Sequence, residues 1–599
     1  MIPRTELEFM LDEICDIDRV IELEQYAHLD REQLTLVLNT IEKIGSDFFA
    51  SSAAKMDEEE PNLRNGVVVQ PEEAFRAIDA ARDAGLFSTS FSLEEYGLQL
   101  PHAITACANA ALASDNTSMN AILMLTAGSA RLIANFADEN VKSRFLEPMV
   151  SGRFTGTMCL SEPHAGSSLS QIRTTAFPQP DGSYSLTGQK MWITGGDHEL
   201  AENIVHLVLA RIEGAPEGVK GISLFVVPKF RLDDKGGVSD RNDVTTIGLN
   251  HKMGYRGVSN ALLSFGDVRN CQGFLVGEEN QGMSYMFQMM NELRVGVGAT
   301  AAGVAIEGAR QSRGYAVERV QGTSLDAGSN AREQVAIIQH PDVRRMLLAQ
   351  RSLSEGALAL SLYAASLLDD LDVENDAIRQ AVLQRRISLI TPLVKSWPSE
   401  HGIRANDIAL QVLGGAGYTR DFSVERLYRD NRLNAIHEGT TGIQALDLLH
   451  RKVVADNGLA LEEFLNSALD DVSEWMRLEE LEDLGLELKA SIERCQVVLA
   501  KLLEARDRGV ANSVLFGNAT PFMDLIGCLT VAWLWLKMAH AALVRLKQGA
   551  TGSDYLSSKV AACRYFITWE LPRALSVVDP LQRLDNTWSE LEPAILIAD

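Results

Sequence analysis

The sequence predicts a mainly α-helical fold with one β domain set into its middle, and three observations carry that prediction. From residue 1 to about 155, apolar residues recur three and four positions apart in segments such as QLTLVLNTIEKIGSDFFASSAAKM and EEAFRAIDAARDAG, with Gly closing several of them. Around Phe154 the texture changes to short β-branched and aromatic runs, TGQKMWIT, NIVHLVLARI, GISLFVVPKF and ALLSFGDV, separated by Gly, Pro, Asp and Asn clusters. From Asn280 the helical period returns and holds to the end.

A chain of 599 residues fits about four domains of roughly 150 residues each. Residues 1–155 are expected to form a helical domain, with the acidic run 57–60 in a solvated loop. Residues 156–279 form a small antiparallel β domain. Residues 280–455 form a helical bundle interrupted by a surface insertion at 322–332 (GTSLDAGSNAR). On its first helix Met283, Met286, Met289 and Met290 fall at spacings that suit a core, and some of that face can touch a flexible apolar ligand. Beyond Asn457-Gly458, residues 456–599 form an additional helical domain rich in Leu and Glu. Its most apolar window, 525–536, is bounded by Asp524 and Lys537 and is too short to span a bilayer, so Trp533 and Trp535 are expected to pack inside.

Composition excludes more than it identifies. With 46% hydrophobic residues the chain can bury a large core. The 55 Lys+Arg against 81 Asp+Glu leave a net charge of −26, which disfavours nucleic acid and anionic lipid surfaces as partners. Seven scattered cysteines without a CxxC pair fit a reducing compartment and no zinc site. The start MIPRTELEFMLDEIC, acidic from its sixth residue, predicts neither signal nor transit peptide, and hence a cytoplasmic protein.

Common motif searches return little. GxxxxGK[ST] and GxSxG do not occur. His437-Glu438 begins like HExxH, but Thr441 stands where the second His must be. Gly415-Ala416-Gly417 follows a helical segment and has Arg420 where a dinucleotide fingerprint needs Gly, so no Rossmann unit is expected.

Three stretches use residue types beyond what a core needs. MCLSEPHAGS (158–167) turns through Pro and Gly, and its small residues let a flat polar ligand approach the main chain. GQKMWITGG (188–196) offers an aromatic face in Trp192 and a hydroxyl in Thr194. AIHEGTTGIQ (435–444) places the carboxylate of Glu438 beside a flexible Gly and two hydroxyls. A PxxG turn, a core Trp and an N-capping Thr-Thr are each more often structural; their joint appearance in this order is not.

With these motifs, the sequence resembles the acyl-CoA dehydrogenases, FAD enzymes that oxidise acyl-CoA thioesters to trans-2-enoyl-CoA. The resemblance covers roughly residues 75–455 through CLSEPHAGSS, GQKMWITGG, HKMGYRGVSNALLSFGDV, FLVGEENQGM, QVLGGAGYTRDFSVERLYRDNR and IHEGTTGIQ, and the length is similar to the roughly 600-residue bacterial branch, which includes fatty acyl-CoA and 3-methylmercaptopropionyl-CoA dehydrogenases. It implies a helical N-domain, a β-barrel-like middle domain, a four-helix-bundle C-domain and an extra C-terminal helical domain. FAD is then expected between the middle and C-domains, with Met158, Leu160, Ser161, Gly166, Ser167, Trp192 and Thr194 around the flavin. Arg319 matches an arginine that reaches the FAD pyrophosphate across a subunit interface, with Gln339 or His340 nearby. Gln411, Gly414 and Gly415 match the adenosine-side turn, and Thr440 and Gly442 the contact after the base. Asn291 and Arg294 match the substrate side near the CoA, joined by Ser167 and Gly439.

An α-C–H beside a thioester is a very weak acid, so the chemistry wants a carboxylate base of raised pKa in a water-poor pocket and donors for the carbonyl oxygen. The resemblance gives that base as Glu438, with the β-hydride passing to flavin N5. Departures stand beside it: His437 replaces a common Tyr, Gly442 a common Gln, and the phenylalanine often near Arg319 is missing. His437 either tunes the base or packs. Glu292, one residue from the position where some members carry the base, points about 100° away on its helix. Arg426, Arg429, Asp430 and Arg432 read as an ion-pair network holding the Glu438 loop, and His164 and His251 as polar turn residues. The partners implied are an acyl-CoA and an electron-transfer flavoprotein, without nucleic acid or membrane insertion, in a homodimer whose extra domain covers the tetramer surface of shorter members. Rival readings are an acyl-CoA oxidase, a DNA-protective flavoprotein and a non-catalytic scaffold. The Glu- and Asp-rich stretch 456–520 opposes the second, and an intact Glu438 the third.

Overall fold

The computed structural model describes residues 1–326, 333–588 and 591–598, apart from the side chains of 288–290. Residues 327–332 of the expected insertion and the side chains of Met289 and Met290 therefore lie outside the described residues. Contacts divide the chain into two compact units.

The first unit comprises Met1 and Tyr26–Gly296. Its longest helix, His102–Phe136, buries an apolar majority together with a polar stretch from Ser114 to Ser118, and breaks within that stretch at Asn116 (φ −152°, ψ 98°). There the Asn116 side-chain oxygen accepts from the N–H groups of Ser118 and Met119 (3.1 and 3.2 Å), capping the second half as a new helix. Two details correct the expected all-helical N-terminal stretch. Asn65 (φ 52°) and Gly66 (φ 79°) turn a β-hairpin, Asn62–Arg64 with Val67–Val69, because an Asn-Gly pair suits the left-handed turn a two-residue hairpin needs. The acidic run begins inside the helix Ser51–Glu58, where Asp57 is buried, instead of lying in a solvated loop.

The β domain is built on the strand Asn203–Ile212, buried at every residue but the half-buried Arg211. It pairs antiparallel with Ser223–Pro228, and its other edge is shared by Phe154–Cys159 and Thr175–Pro178, both parallel. Strand Tyr184–Thr194 closes the sheet by pairing with Thr175–Pro178 on one edge and with Gln272–Leu275 and Asn260–Phe265 in succession on the other. Gly188 stands where those partners change: its φ is 153°, and a Cβ there would lie 2.5 Å from the Thr174 hydroxyl. Alternation along Asn203–Ile212 sends Val208, Ala210 and Ile212 into the closed sheet and Val205, Leu207 and Leu209 against the helices His102–Phe136 and Glu139–Val150. A strand covered on both faces reads as a continuous apolar run, which is why NIVHLVLARI was legible.

The second unit comprises Ile2–Gln25 and Val297–Asp599. Helices Pro341–Val373 and Ala377–Leu413 form its central pair, flanked by Val424–Asn434 and by Ala519–Lys547. The N-terminal helix Arg4–Glu13 packs here, on Pro341–Val373 and Ala519–Lys547. Buried Lys559 sits between Glu6 (2.5 Å) and Glu355 (2.8 Å), tying that helix to the C-terminal part of the chain. Among the described residues one stretch, Asn512–Lys547, is long and apolar enough to cross a membrane, and 89% of its most apolar window is buried within the protein. Trp533 and Trp535 pack inside, donating to Asp471 and to the Ser352 carbonyl. All seven cysteines are buried and free.

Candidate active site

In the first unit, the loop after strand Phe154–Cys159 is fastened to strand Tyr184–Thr194. The Met191 N–H donates to the Ser161 carbonyl (2.9 Å), and Lys190 Nζ donates to the Leu160 carbonyl (3.0 Å) and to Glu162 Oε1 (3.0 Å). Lys190 is fully buried and Glu162 nearly so. The Glu162 carboxylate also accepts from the N–H groups of Arg173 (2.7 Å) and Thr174 (3.0 Å) and from the Thr174 hydroxyl (2.6 Å). Burial pushes the Glu162 carboxyl up, and Lys190 with those donors more than reverses it, leaving it below the usual carboxylate range. Burial pulls the Lys190 ammonium down, offset in part by Glu162.

The outcome is a platform. Met158 is buried, Leu160 and Ser161 are half-buried, and Gly166 and Ser167 are exposed. Trp192 is 61% exposed although it sits within a strand, and its φ of 67° turns it out of the regular pleat. The Thr194 hydroxyl accepts from Asn260 Nδ2 (3.3 Å). A Cβ added at Gly166 or Gly195 would meet nothing within 4 Å, so the backbone here borders open space.

The second unit carries Glu438. Helix Val424–Asn434 ends just before it, and Glu438 (φ 51°) and Gly439 (φ 88°) form two consecutive left-handed residues. Such a pair persists only when its surroundings fix it. Buried Gln444 donates Nε2 to the Glu438 carbonyl (3.1 Å), and buried Lys395 donates Nζ to the Gly439 carbonyl (2.7 Å). Thr440 caps the helix Thr441–Leu446 through the Ile443 N–H (3.4 Å), and the Thr441 hydroxyl donates to Glu400. A side chain at 439 has no room: its Cβ would lie 2.6 Å from Gln444 Nε2.

His437 anchors the same loop. Its Nε2 lies 3.2 Å from Asn434 Oδ1, an oxygen that can only accept, so Nε2 carries the proton. Asn434 Nδ2 donates to Asn431 Oδ1 (3.0 Å), and Asn431 Nδ2 donates to Asn406 Oδ1 (2.7 Å) and to the Ala301 carbonyl (3.2 Å). Asn406 Nδ2 ends the ladder on the Val304 carbonyl (3.2 Å). Burial, helped by the Lys395 cation, pulls the His437 pKa down to about 3, so the imidazole is a neutral donor. Asparagines thus tie the loop to the helix Gly282–Glu318, while Arg429 pairs with Glu425 one turn earlier.

The remaining expected positions fall into two groups. Arg319 and Gln339 are exposed and His340 is half-buried, close in the chain to Ala316, Ile337 and Ile338, which pack in one small apolar cluster with Val412; Gln411 and Gly414, close to Val412 in the chain, are exposed. The Ile337 N–H donates to the Arg319 carbonyl (2.8 Å), and His340 Nε2 lies 2.7 Å from the Gln321 carbonyl. Around Gly414, Gly415 and Gly442 a Cβ would again meet nothing within 4 Å. In the first unit Asn291 is half-buried and Arg294 buried, and Glu292 lies 3.8 Å from Arg131. His164 is held by the Gln171 carbonyl (3.0 Å), and His251 is 96% exposed, as turn residues are.

Models of the acyl-CoA dehydrogenase middle domain, the acyl-CoA dehydrogenase C-terminal domain and the acetyl-CoA dehydrogenase C-terminal-like domain match residues 157–268, 280–453 and 462–592. The chain is 35% identical over 569 residues to the 3-methylmercaptopropionyl-CoA dehydrogenase of Ruegeria pomeroyi, covering 94% of this chain and 95% of that one. It belongs to the acyl-CoA dehydrogenase family. The broad-specificity linear acyl-CoA dehydrogenase FadE5 of Mycobacterium tuberculosis is 32% identical over 98% of both chains. The Bacillus anthracis acyl-CoA dehydrogenase solved with FAD shares the fold, with a TM-score of 0.74 at 19% identity over 98% of this chain and 93% of that one. The acyl-CoA dehydrogenase assigned by this membership is an FAD-dependent oxidoreductase acting on an acyl-CoA. The first unit fits the cofactor's ring system: an exposed indole on a stapled strand and side-chain-free backbone at Gly166 and Gly195 suit a flat aromatic ligand.

The residues that build this site but escaped the sequence reading are Glu162, Lys190, Lys395, Gln444 and the three asparagines. Glu162 and Lys190 stood inside quoted motifs, among polar and small neighbours that did not mark either as buried. Lys395 did carry a signal, as an isolated cation in the apolar run ISLITPLVKSW.

Proposed function

We propose that this acyl-CoA dehydrogenase converts its thioester to the trans-2-enoyl-CoA, with Glu438 taking the α-proton. The observation that carries the reading is the left-handed pair Glu438-Gly439, clamped at both of its carbonyls by buried side chains. That clamp spends conformational strain to aim one carboxylate, as a base needing a near-attack geometry requires. When bound, FAD supplies the acceptor for the β-hydride. Ser161, Trp192 and Thr194 hold and orient the ring system, and Met158, Leu160, Gly166 and Ser167 shape its bed. Arg319, Gln339, His340, Gln411, Gly414 and Gly415 bind the pyrophosphate and adenosine end, with Thr440 and Gly442 beside the base. Asn291, Arg294, Ser167 and Gly439 serve the acyl-CoA. Neutral His437 positions the loop and leaves the proton to Glu438.

The segments 1–155, 156–279, 280–455 and 456–599 are the domains of this reading. The chain works as a cytoplasmic homodimer in which Arg319 reaches the partner's cofactor, and it passes electrons to an electron-transfer flavoprotein. A straight fatty acyl chain is the first substrate class. The name of the 35% identical relative supports a thioether chain as the second.

The test is an anaerobic absorbance titration with acyl-CoAs from short to long, including 3-methylmercaptopropionyl-CoA, with Glu438→Gln in parallel. Bleaching of the flavin band by a subset, lost in the variant, is the expected result. A flavin bleached by none of them, or bleached equally in Glu438→Gln, overturns the proposal.

A further inference from the structure

We propose that Lys395 is a positioning residue for the base, its buried ammonium holding the Gly439 carbonyl so that the Glu438-Gly439 turn keeps its left-handed form. This rests on the reading of Glu438 as the base. Lys395 lies in the middle of the helix Ala377–Leu413, is 0% exposed, and reaches Gly439 across 44 residues of sequence with an Nζ to oxygen distance of 2.7 Å.

Burying an ammonium costs several kcal/mol unless the groups it meets repay the lost hydration, so its hydrogen bonds at this position carry its cost. Met in its place cannot donate to the carbonyl that defines the turn. Gln444 holds the Glu438 carbonyl from the other side, so the two donors together fix both peptide planes that follow the carboxylate. Releasing one lets residue 438 relax toward the right-handed backbone that non-glycine residues prefer, which swings the carboxylate away. The same cation sits near enough to His437 to oppose its protonation, keeping the imidazole a neutral donor in the asparagine ladder.

The experiment compares flavin-loaded wild type, Lys395→Met, Lys395→Arg and Glu438→Gln. Four readouts are taken: stopped-flow flavin reduction, the isotope effect with α-deuterated acyl-CoA, hydrogen exchange of the peptide covering 435–442, and melting temperature. Lys395→Met is expected to reduce flavin about 100-fold more slowly, the penalty of roughly an ångström of misplacement, with an enlarged isotope effect. Exchange in 435–442 should quicken with a fall in melting temperature too small to account for the lost rate, and Lys395→Arg should recover most of the rate. Should Lys395→Met fail to accumulate folded, Lys395→Gln takes its place. A rate in the Met or Gln variant within threefold of wild type, or unchanged exchange in 435–442, overturns the positioning role. So does a melting temperature that falls in step with the rate. If Glu438→Gln stays active, it is the assignment of the base that fails, whatever Lys395 does.

Discussion

Glu162→Gln should unfasten the platform that carries Ser161 and Trp192, and the structure sets the size of the effect. The wild-type carboxylate accepts from Lys190, from two backbone N–H groups and from a hydroxyl, all in a buried setting. A carboxamide retains one oxygen for those donors, presents an N–H₂ toward the others, and leaves Lys190, 0% exposed, with the Leu160 carbonyl as its neutral acceptor. Removing one partner of a buried pair costs about 3–5 kcal/mol. For a unit of this size each kcal/mol lowers the melting point by roughly 2–4 °C, so a fall of about 6–20 °C is expected. Differential scanning fluorimetry following release of flavin emission measures it, because the broken staple is the one under Leu160 and Ser161. The pair also makes a signed prediction in combination: adding Lys190→Met to Glu162→Gln removes the uncompensated ammonium and should recover part of the loss, while the amide oxygen still accepts from the Thr174 donors. A Glu162→Gln melting point within about 2 °C of wild type, or a double variant less stable than the single one, would refute the reasoning.

Two further predictions follow from the same geometry. Gly439→Ala forces a Cβ to within 2.6 Å of Gln444 Nε2 at a φ of 88°. Strain of about 1–3 kcal/mol should push Gln444 off the Glu438 carbonyl and cut kcat at least tenfold with a smaller change in KM, read by steady-state turnover; an unaltered kcat counts against the clamp. His198, His206 and His437 are each held down to about 3, in every case chiefly by burial. Their unfolded forms titrate near 6.5, so the neutral-histidine contribution is fully present above that pH and is lost as pH falls toward 3. Between about pH 5.5 and 4 the three together give a slope of about 4 kcal/mol per pH unit summed over both units. Urea unfolding at pH 7 and pH 5 measures this, and equal stability at both contradicts three buried neutral imidazoles.

Much of the fold was legible because its signals are local. The strands NIVHLVLARI and ALLSFGDV, the return of helical period at Asn280 and the turn residues around 163–166 each express a preference of neighbouring residues for one backbone shape. The Asn65-Gly66 hairpin was legible on the same terms, and was masked by the helical segments around it. The motifs carrying Ser161, Trp192 and Glu438 stood out in the sequence because each uses residue types that a packed core does not need.

What the chain by itself determined is therefore its secondary-structure texture and its family. The tertiary structure decided which charges meet. Lys190 finds Glu162 across 28 residues, Lys395 finds Gly439 across 44, and Lys559 finds Glu6 across 553, carrying the segment Ile2–Gln25 into the C-terminal unit. Nothing in the residues adjacent to a lysine says which carbonyl or carboxylate will neutralise it. That choice is made when burial removes water and each ion must take the partner that packing brings within reach.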